Sequence, residues 1–226
     1  MISGNLQQVR ARIVTACTAV GRDPASVHLL AVSKTFPAEA VREAYALGQT
    51  AFGENYVQEG VAKIEDLHDL RDRLQWHCIG PLQSNKTRVV AEHFDWVHSF
   101  DRLKIAERLS EQRPAHLPPL QVCLQVNVDA GANKSGVPLE EALPLARAVA
   151  ALPHLRLRGI MAIPEPAPDF EAQRELFLRA AGVFGLIRKE GIELDTLSLG
   201  MSADLEAAVA AGSTMVRVGT AIFGQR

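Results

Sequence analysis

"VHLLAVSKTFPAEAVREAYALGQTAFGEN", residues 27–55, reads as a strand, a helix and a second strand in succession. Residues 27–33 are an apolar run with no polar alternation before its end, the pattern of a strand covered on both faces. Helical periodicity follows over 37–47, and a short strand, AFGE, over 51–54. The same alternation continues along the chain. Further strands are predicted at 75–79 (QWHCI), 95–99 (DWVHS), 120–128 (LQVCLQVNV), 156–163 (RLRGIMAI), 196–199 (TLSL) and 214–219 (TMVRVG). Helices are predicted at the N-terminus and over 56–67, 84–92, 101–112, 138–151, 169–190 and 202–211.

Eight strands, with a helix after each of the first seven, imply parallel pairing through right-handed crossovers. The predicted fold is α/β: one (β/α)8 barrel of the TIM type spanning 1–226, with an extra N-terminal helix and no second β domain. An open doubly wound sheet is the alternative, weakened because no G-x-G-x-x-G follows the first strand. "RPAHLPP" at 113–119 reads as a loop, not a domain linker.

Composition excludes several functions. Hydrophobic residues make up 47% of the chain, enough for a packed core. A net charge of −2 and a pI near 6.4 give no footprint for nucleic acid. No apolar run approaches the roughly 20 residues that span a bilayer, and the N-terminus lacks the basic-then-apolar form of a signal peptide. Cys17, Cys78 and Cys123 have no C-x-x-C spacing and the histidines form no H-x-x-x-H pair, so neither a metal site nor a disulfide framework is expected. A reducing cytoplasm fits.

In such a barrel, chemistry belongs at the C-terminal ends of the strands. The polar residues predicted there are Ser33, Lys34, Glu54, Asn55, His77, Asn127, Ser202, Arg217, Gly219 and Thr220. Lys34 ends the first strand. Its stem can lie along the rim with the ammonium in water. Alternatively, burial among apolar residues lowers its pKa and leaves a neutral amine able to attack an aldehyde.

At the other end of the chain, Gly200 turns the seventh strand into Met201-Ser202-Ala203-Asp204. Ser202 there is either an ordinary N-cap or part of a phosphate site at a helix N-terminus. The eighth strand ends in Arg217-Val218-Gly219-Thr220, where a close-approaching backbone and a hydroxyl suit the phosphate site common after the last two strands of such barrels. Alternation turns Met215, Arg217 and Gly219 into the barrel. Arg217 then needs an acceptor, either a carboxylate such as Glu54 or a ligand atom such as a ring nitrogen.

A reactive lysine, a phosphate cradle and an inward arginine together point to pyridoxal 5′-phosphate (PLP). The segments "AVSKTFP" (31–37), "FGENYVQE" (52–59), "WHCIGPLQSNK" (76–86), "QVNVDAGANKSG" (125–136), "GIMAIP" (159–164) and "LGMSADLEAAVAAGSTMVRVGTAIFG" (199–224) carry a close resemblance to the pyridoxal phosphate homeostasis protein family. Cys78 departs from the larger apolar residue usual there. The resemblance implies a fold type III PLP protein similar to the barrel half of alanine racemase. By position it implies Lys34 as the Schiff-base lysine, Ser202 with the backbone at Gly219 and Thr220 as the phosphate site, and Arg217 opposite the pyridine nitrogen. It also implies Asn55, His77 and Met201 near the cofactor.

An arginine keeps its proton, so the ring nitrogen it meets stays neutral and carbanion chemistry is damped. The resemblance implies that a racemase also needs a tyrosine from a separate β domain. Tyr45 and Tyr56 are the tyrosines here, both in predicted helices, with Tyr56 close to the mouth.

The expected function is holding PLP as a lysine Schiff base, for intracellular PLP homeostasis and delivery without robust turnover. Apo PLP enzymes would be the recipients, and without the racemase dimer contact a monomer is expected. A low-activity amino-acid racemase, or a cofactor-free Schiff-base aldolase acting on a sugar phosphate, are the alternatives. Lys86 and Lys134 are rival lysines, the latter in an "NKSG" turn at 133–136.

Overall fold

The computed structural model describes residues 1–129 and 135–225. Lys134 lies outside these residues. The strands are β1 (His28–Val32), β2 (Ala51–Glu54), β3 (Gln75–Cys78), β4 (Trp96–Phe100), β5 (Leu120–Asn127), β6 (Val137–Pro138), β7 (Leu155–Met161), β8 (Thr196–Ser198) and β9 (Met215–Val218). The helices are α1 (Ile2–Ala19), α2 (Ala38–Ala46), α3 (Val57–Asp66), α4 (Thr87–His93), α5 (Leu103–Gln112), α6 (Ala142–Ala150), α7 (Phe170–Lys189), α8 (Leu205–Ala210) and α9 (Thr220–Phe223).

All pairings are parallel, and the order β4-β3-β2-β1-β9-β8-β7-β5, closed by β4 on β5, makes an eight-stranded barrel. The two-residue β6 adds to β5 outside that ring. The closure that matters most joins β1 to β9, with Leu30 opposite Arg217 and Ala31 opposite Val218. It makes neighbours of the first and last strands of the chain.

Alternation sorts the side chains. Leu30, Val32, Ile79 and Met215 form one apolar cluster inside the barrel, and Trp96, Cys123 and Met161 another. The opposite faces carry Ala31, Phe52, Trp76, Val216 and Val218 into the larger core under the helices. There α1 buries Leu6, Val9, Ile13, Ala16 and Cys17, a stripe at helical spacing.

Two predicted details change. The eighth helix begins at Leu205, not at Ser202, and Asp204 is its N-cap residue. The Asp204 carboxylate folds back to accept from the Met201 N–H at 2.6 Å, closing residues 201–204 as a turn ahead of the helix. The final turn α9 has four residues, too short for periodicity to reveal. No helix of the described residues is long and apolar enough to cross a membrane.

Candidate functional site

A cleft of about 640 Å³ opens at the C-terminal ends of the strands. Lys34, Asn55, Met201, Ser202, Arg217, Gly219 and Thr220 line it, whereas His77, Ser33, Glu54 and Asn127, also expected at the mouth, do not. Tyr56, Phe36, Ile79 and Ile163 complete its walls. Of these, sequence reasoning had placed only Tyr56 near the mouth.

Lys34 stands two residues beyond the end of β1, in a turn that the Phe36 N–H closes onto the Ser33 carbonyl at 3.1 Å. It is exposed on the cleft wall, not desolvated. The reason is position: the apolar run ends at Val32 and the lysine lies past it. Thr35 has φ +70°, a left-handed conformation that a β-branched residue rarely adopts. Phe36 packs on Phe223 of α9 with ring centroids 5.3 Å apart, tying the lysine turn to the last turn of the chain.

The facing wall comes from the loops after β8 and β9. Gly200 has φ +92°, and a Cβ there would come within 2.4 Å of the Ala208 Cβ, so the turn into Met201 and Ser202 requires glycine. A Cβ at Gly219 would sit 3.0 Å from the Val32 carbonyl, so this glycine serves the close approach of β9 to β1. Beyond it, α9 opens with the Thr220 and Ala221 N–H groups, while those of Ile222 and Phe223 donate to the Gly219 carbonyl at 2.8 and 3.0 Å. Helix α1 braces this wall from behind. Arg12 donates to the Ser202 carbonyl (3.0 Å) and holds Glu206 through two bonds of 2.9 Å, and Asn5 donates to the Ile222 carbonyl at 2.9 Å.

Arg217 forms the floor at 3% exposure. Its Nη1 donates to the Ser198 carbonyl and hydroxyl, both at 2.7 Å, and its Nη2 to the Ala162 carbonyl at 3.1 Å. Burial lowers its pKa to about 10, with Asp204 and Cys123 opposing, so it remains a cation at neutral pH. The predicted alternative partner Glu54 is elsewhere. Alternation along β2 turns it outward toward α3, where it meets Lys63 at 2.8 Å. Arg217 therefore has neutral acceptors as its partners among the described residues.

His77 does not reach the cleft. It is fully buried and stacked on Trp96 at 5.1 Å, and Ile79, two residues further along, lines the cleft instead. It joins Arg217 indirectly. His77 Nδ1 lies 2.8 Å from His98 Nε2, and His98 Nδ1 lies 2.9 Å from the Ser198 hydroxyl. Arginine only donates, so the Ser198 hydroxyl accepts from it. Among the described residues, His77 Nε2 is buried without a hydrogen-bond partner. Burial lowers the His77 pKa to about 3, and lowers that of His98 well below the usual value, helped by His77 and the nearby Arg217 charge. Sequence reasoning missed His98 and Ser198. Their inward register on β4 and β8 was the available signal.

The other predicted strand-end residues serve the frame. Ser33 donates to Glu54 at 2.6 Å, and Asn127 Oδ1 accepts from the Asp129 N–H at 3.2 Å. Lys86 ends a short 3-10 turn and is not part of the cleft wall. No cluster of three metal-ligating side chains occurs among the described residues.

The residues of the cleft fit an anionic aromatic aldehyde. One exposed amine shares the cleft with Ser202 and Thr220, the floor is a cation among neutral acceptors, and among the described residues Asn55 Oδ1 is a buried acceptor without a hydrogen-bond partner.

Residues 4–226 match the family model for the N-terminal domain of alanine racemase. The pyridoxal phosphate homeostasis protein of Pseudomonas aeruginosa is 60% identical over 225 residues, covering 100% of this chain and 96% of that protein. The protein of the same name from Escherichia coli K12 is 58% identical, covering 100% and 97%. Among solved structures, PipY of Synechococcus elongatus with PLP bound superposes with a TM-score of 0.86 at 38% identity, covering 99% of this chain and 100% of that one. On this similarity along its whole length, the chain belongs to the pyridoxal phosphate homeostasis protein family.

Proposed function

We propose that the protein binds PLP in this cleft as a Schiff base on Lys34, and holds and releases the cofactor for intracellular PLP homeostasis without robust catalytic turnover. The observation that carries the reading is the convergence of Lys34, from the end of β1, with Ser202, Gly219, Thr220 and Arg217, from the β8 and β9 ends, on one cleft. The PLP in the PipY structure and the names of the relatives support it.

The Ser202 hydroxyl and the N–H groups of the turn and of α9 would hold the phosphate. Asn55 would accept from the ring substituents, and Met201 would cover one face. Arg217 would donate to the ring nitrogen. Its Nη1 is committed to Ser198, which fixes the plane of the guanidinium. Bound PLP supplies an electrophilic aldehyde and an electron sink, and an arginine partner weakens the sink. A reversible imine lets one lysine load and unload. The buried, free state of all three cysteines supports a reducing, cytoplasmic setting, and we place the protein there as a monomer that passes PLP to apo enzymes.

The racemase alternative needs a second acid/base. Tyr56 is on the cleft wall but 59% exposed, and among the described residues its hydroxyl has no hydrogen-bond partner to orient it. The carrier reading is therefore preferred.

Borohydride reduction of PLP-loaded protein followed by peptide mapping tests the reading. A pyridoxyl adduct on Lys34 is expected, with its loss in Lys34→Ala. An adduct at full yield on Lys86 or Lys134 overturns the assignment of the lysine, and sustained conversion of an amino acid at ordinary enzymatic rates overturns the carrier role.

A further inference from the structure

The turn that carries Lys34 is held from below by a buried charged cluster. Lys63, on the inner face of α3, is 5% exposed. Its Nζ donates to the Ser33 carbonyl at 2.6 Å, to Glu54 Oε1 at 2.8 Å and to Glu59 Oε1 at 2.9 Å. Glu59 Oε1 in turn accepts the Thr35 N–H, and the Ser33 hydroxyl donates to Glu54. Four polar groups of the segment 33–35 are therefore tied to one network or to β2: the Ser33 hydroxyl and carbonyl, the Thr35 N–H, and the Ser33 N–H bonded to the Gly53 carbonyl at 3.0 Å.

A buried lysine between two carboxylates is a poor source of net stability compared with apolar packing. Its location needs another reason, and the strained turn provides one. Thr35 is held at φ +70°, where a β-branched residue costs energy unless its surroundings enforce it. The enforcing contact is Glu59 on the Thr35 N–H, and Lys63 holds Glu59 in place. Without that contact Thr35 relaxes toward negative φ, and the peptide on the C-terminal side of Lys34 rotates with it.

We propose that Glu59, oriented by Lys63 and Glu54, is a positioning residue that keeps the Lys34 turn in the conformation presenting the amine to an aldehyde bound in the cleft. This rests on the PLP reading above. The device acts on imine formation and not on anchoring of the phosphate, which depends on the opposite wall. Pyridoxine 5′-phosphate carries the same ring and phosphate but an alcohol in place of the aldehyde, so it reports anchoring alone.

The test compares affinities for PLP and for pyridoxine 5′-phosphate in wild type, Glu59→Ala and Glu59→Gln. Glu59→Ala is expected to weaken PLP about tenfold, the scale of one released backbone strain, with pyridoxine 5′-phosphate unchanged within about twofold. Glu59→Gln keeps an acceptor for the Thr35 N–H and is expected to recover most of the loss. Thr35→Gly, which adopts positive φ freely, is expected to make Glu59→Ala nearly silent when the two are combined. Equal weakening of both ligands in Glu59→Ala, or no change for PLP, overturns the proposal.

Amide exchange of Thr35 in the wild-type protein needs no variant to fold. Strong protection is expected, and exchange at the rate of an open loop overturns the proposal as well. Failure of the PLP reading itself is visible earlier, as wild-type protein that forms no imine while its Thr35 amide is still protected.

Discussion

At the scale of single residues, the inside of the barrel carries a polar chain where apolar layers would be expected. His77, His98, Ser198 and Arg217 run from the buried interior to the cleft floor through contacts of 2.7–2.9 Å. The chain holds the guanidinium. It also makes stability acid-sensitive. Unfolded histidines take up protons near pH 6.5, whereas folded His77 resists until about pH 3 and His98 also resists well below its usual value. The folded state therefore binds fewer protons, and stability is complete above pH 6.5 and falls as pH drops below it. The loss is about 1.4 kcal/mol per pH unit for each histidine, or about 4 kcal/mol for the pair at pH 5. Glu54, pushed up by burial, acts in the opposite direction: its contribution is full below its ordinary pKa and is lost as pH rises. Thermal melts from pH 7.5 to 5 are expected to fall by about 10 °C in wild type. His77→Phe, which preserves the stack on Trp96, should show about half that slope. An unchanged slope would mean that His77 is not among the groups responsible.

At the scale of elements, strand positions were legible because buried parallel strands leave apolar runs, as in LLAV of β1 and VCL within β5. Loops were less legible. Ser202 has the residue type of an N-cap, but the Asp204 side chain captured the Met201 N–H and moved the helix start three residues along. Lys63 was not singled out from the sequence. Its signal was the spacing Glu59-x-x-x-Lys63 around Gly60, where a Cβ would meet Phe94 and Glu54 and the helix therefore sits close to β2. The role of α1 also emerges only in three dimensions. Its bonds to Ser202, Glu206 and Ile222 make it the backing of the wall formed after β8 and β9. Arg12 and Glu206 are partly exposed, so their ion pair contributes at most about 1 kcal/mol to stability. Arg12→Met is thus expected to lower the melting temperature by no more than about 4 °C. It should weaken pyridoxine 5′-phosphate, which depends on anchoring, by about threefold to tenfold, because the Ser202 turn loses its outer tether. Equilibrium dialysis and a melt on the same sample separate the two effects, and unchanged affinity would show that the turn holds itself.

At the scale of the whole molecule, the cleft joins segments that are far apart in the chain. Lys34 and Arg217 are neighbours because the barrel closes between β1 and β9, and Phe36 touches Phe223 across the same seam. This closure was legible, since eight strand–helix units leave the first and last strands as partners. The depth of each inward residue below the rim was not, because it depends on strand tilt and bulges, such as the register shift between Val97 and Phe100. Hence His77 and Arg217, both inward and near a strand end, part ways: one is fully buried away from the cleft and the other lines it. A ligand held by both ends of the seam favours the closed barrel over any state in which the terminal strands separate. Stabilisation by PLP follows mass action, about 2.7 kcal/mol at a hundredfold excess over its dissociation constant. For a chain of this size that is a rise in melting temperature of about 5–11 °C. Dialysis should remove the rise from untreated protein, whereas borohydride reduction should make it permanent by fixing the ligand to β1 while the phosphate still grips the β8 and β9 loops. If the reduced protein melts where the free protein does, PLP attached to Lys34 makes no contact across the seam, and the two walls of the cleft do not share one ligand.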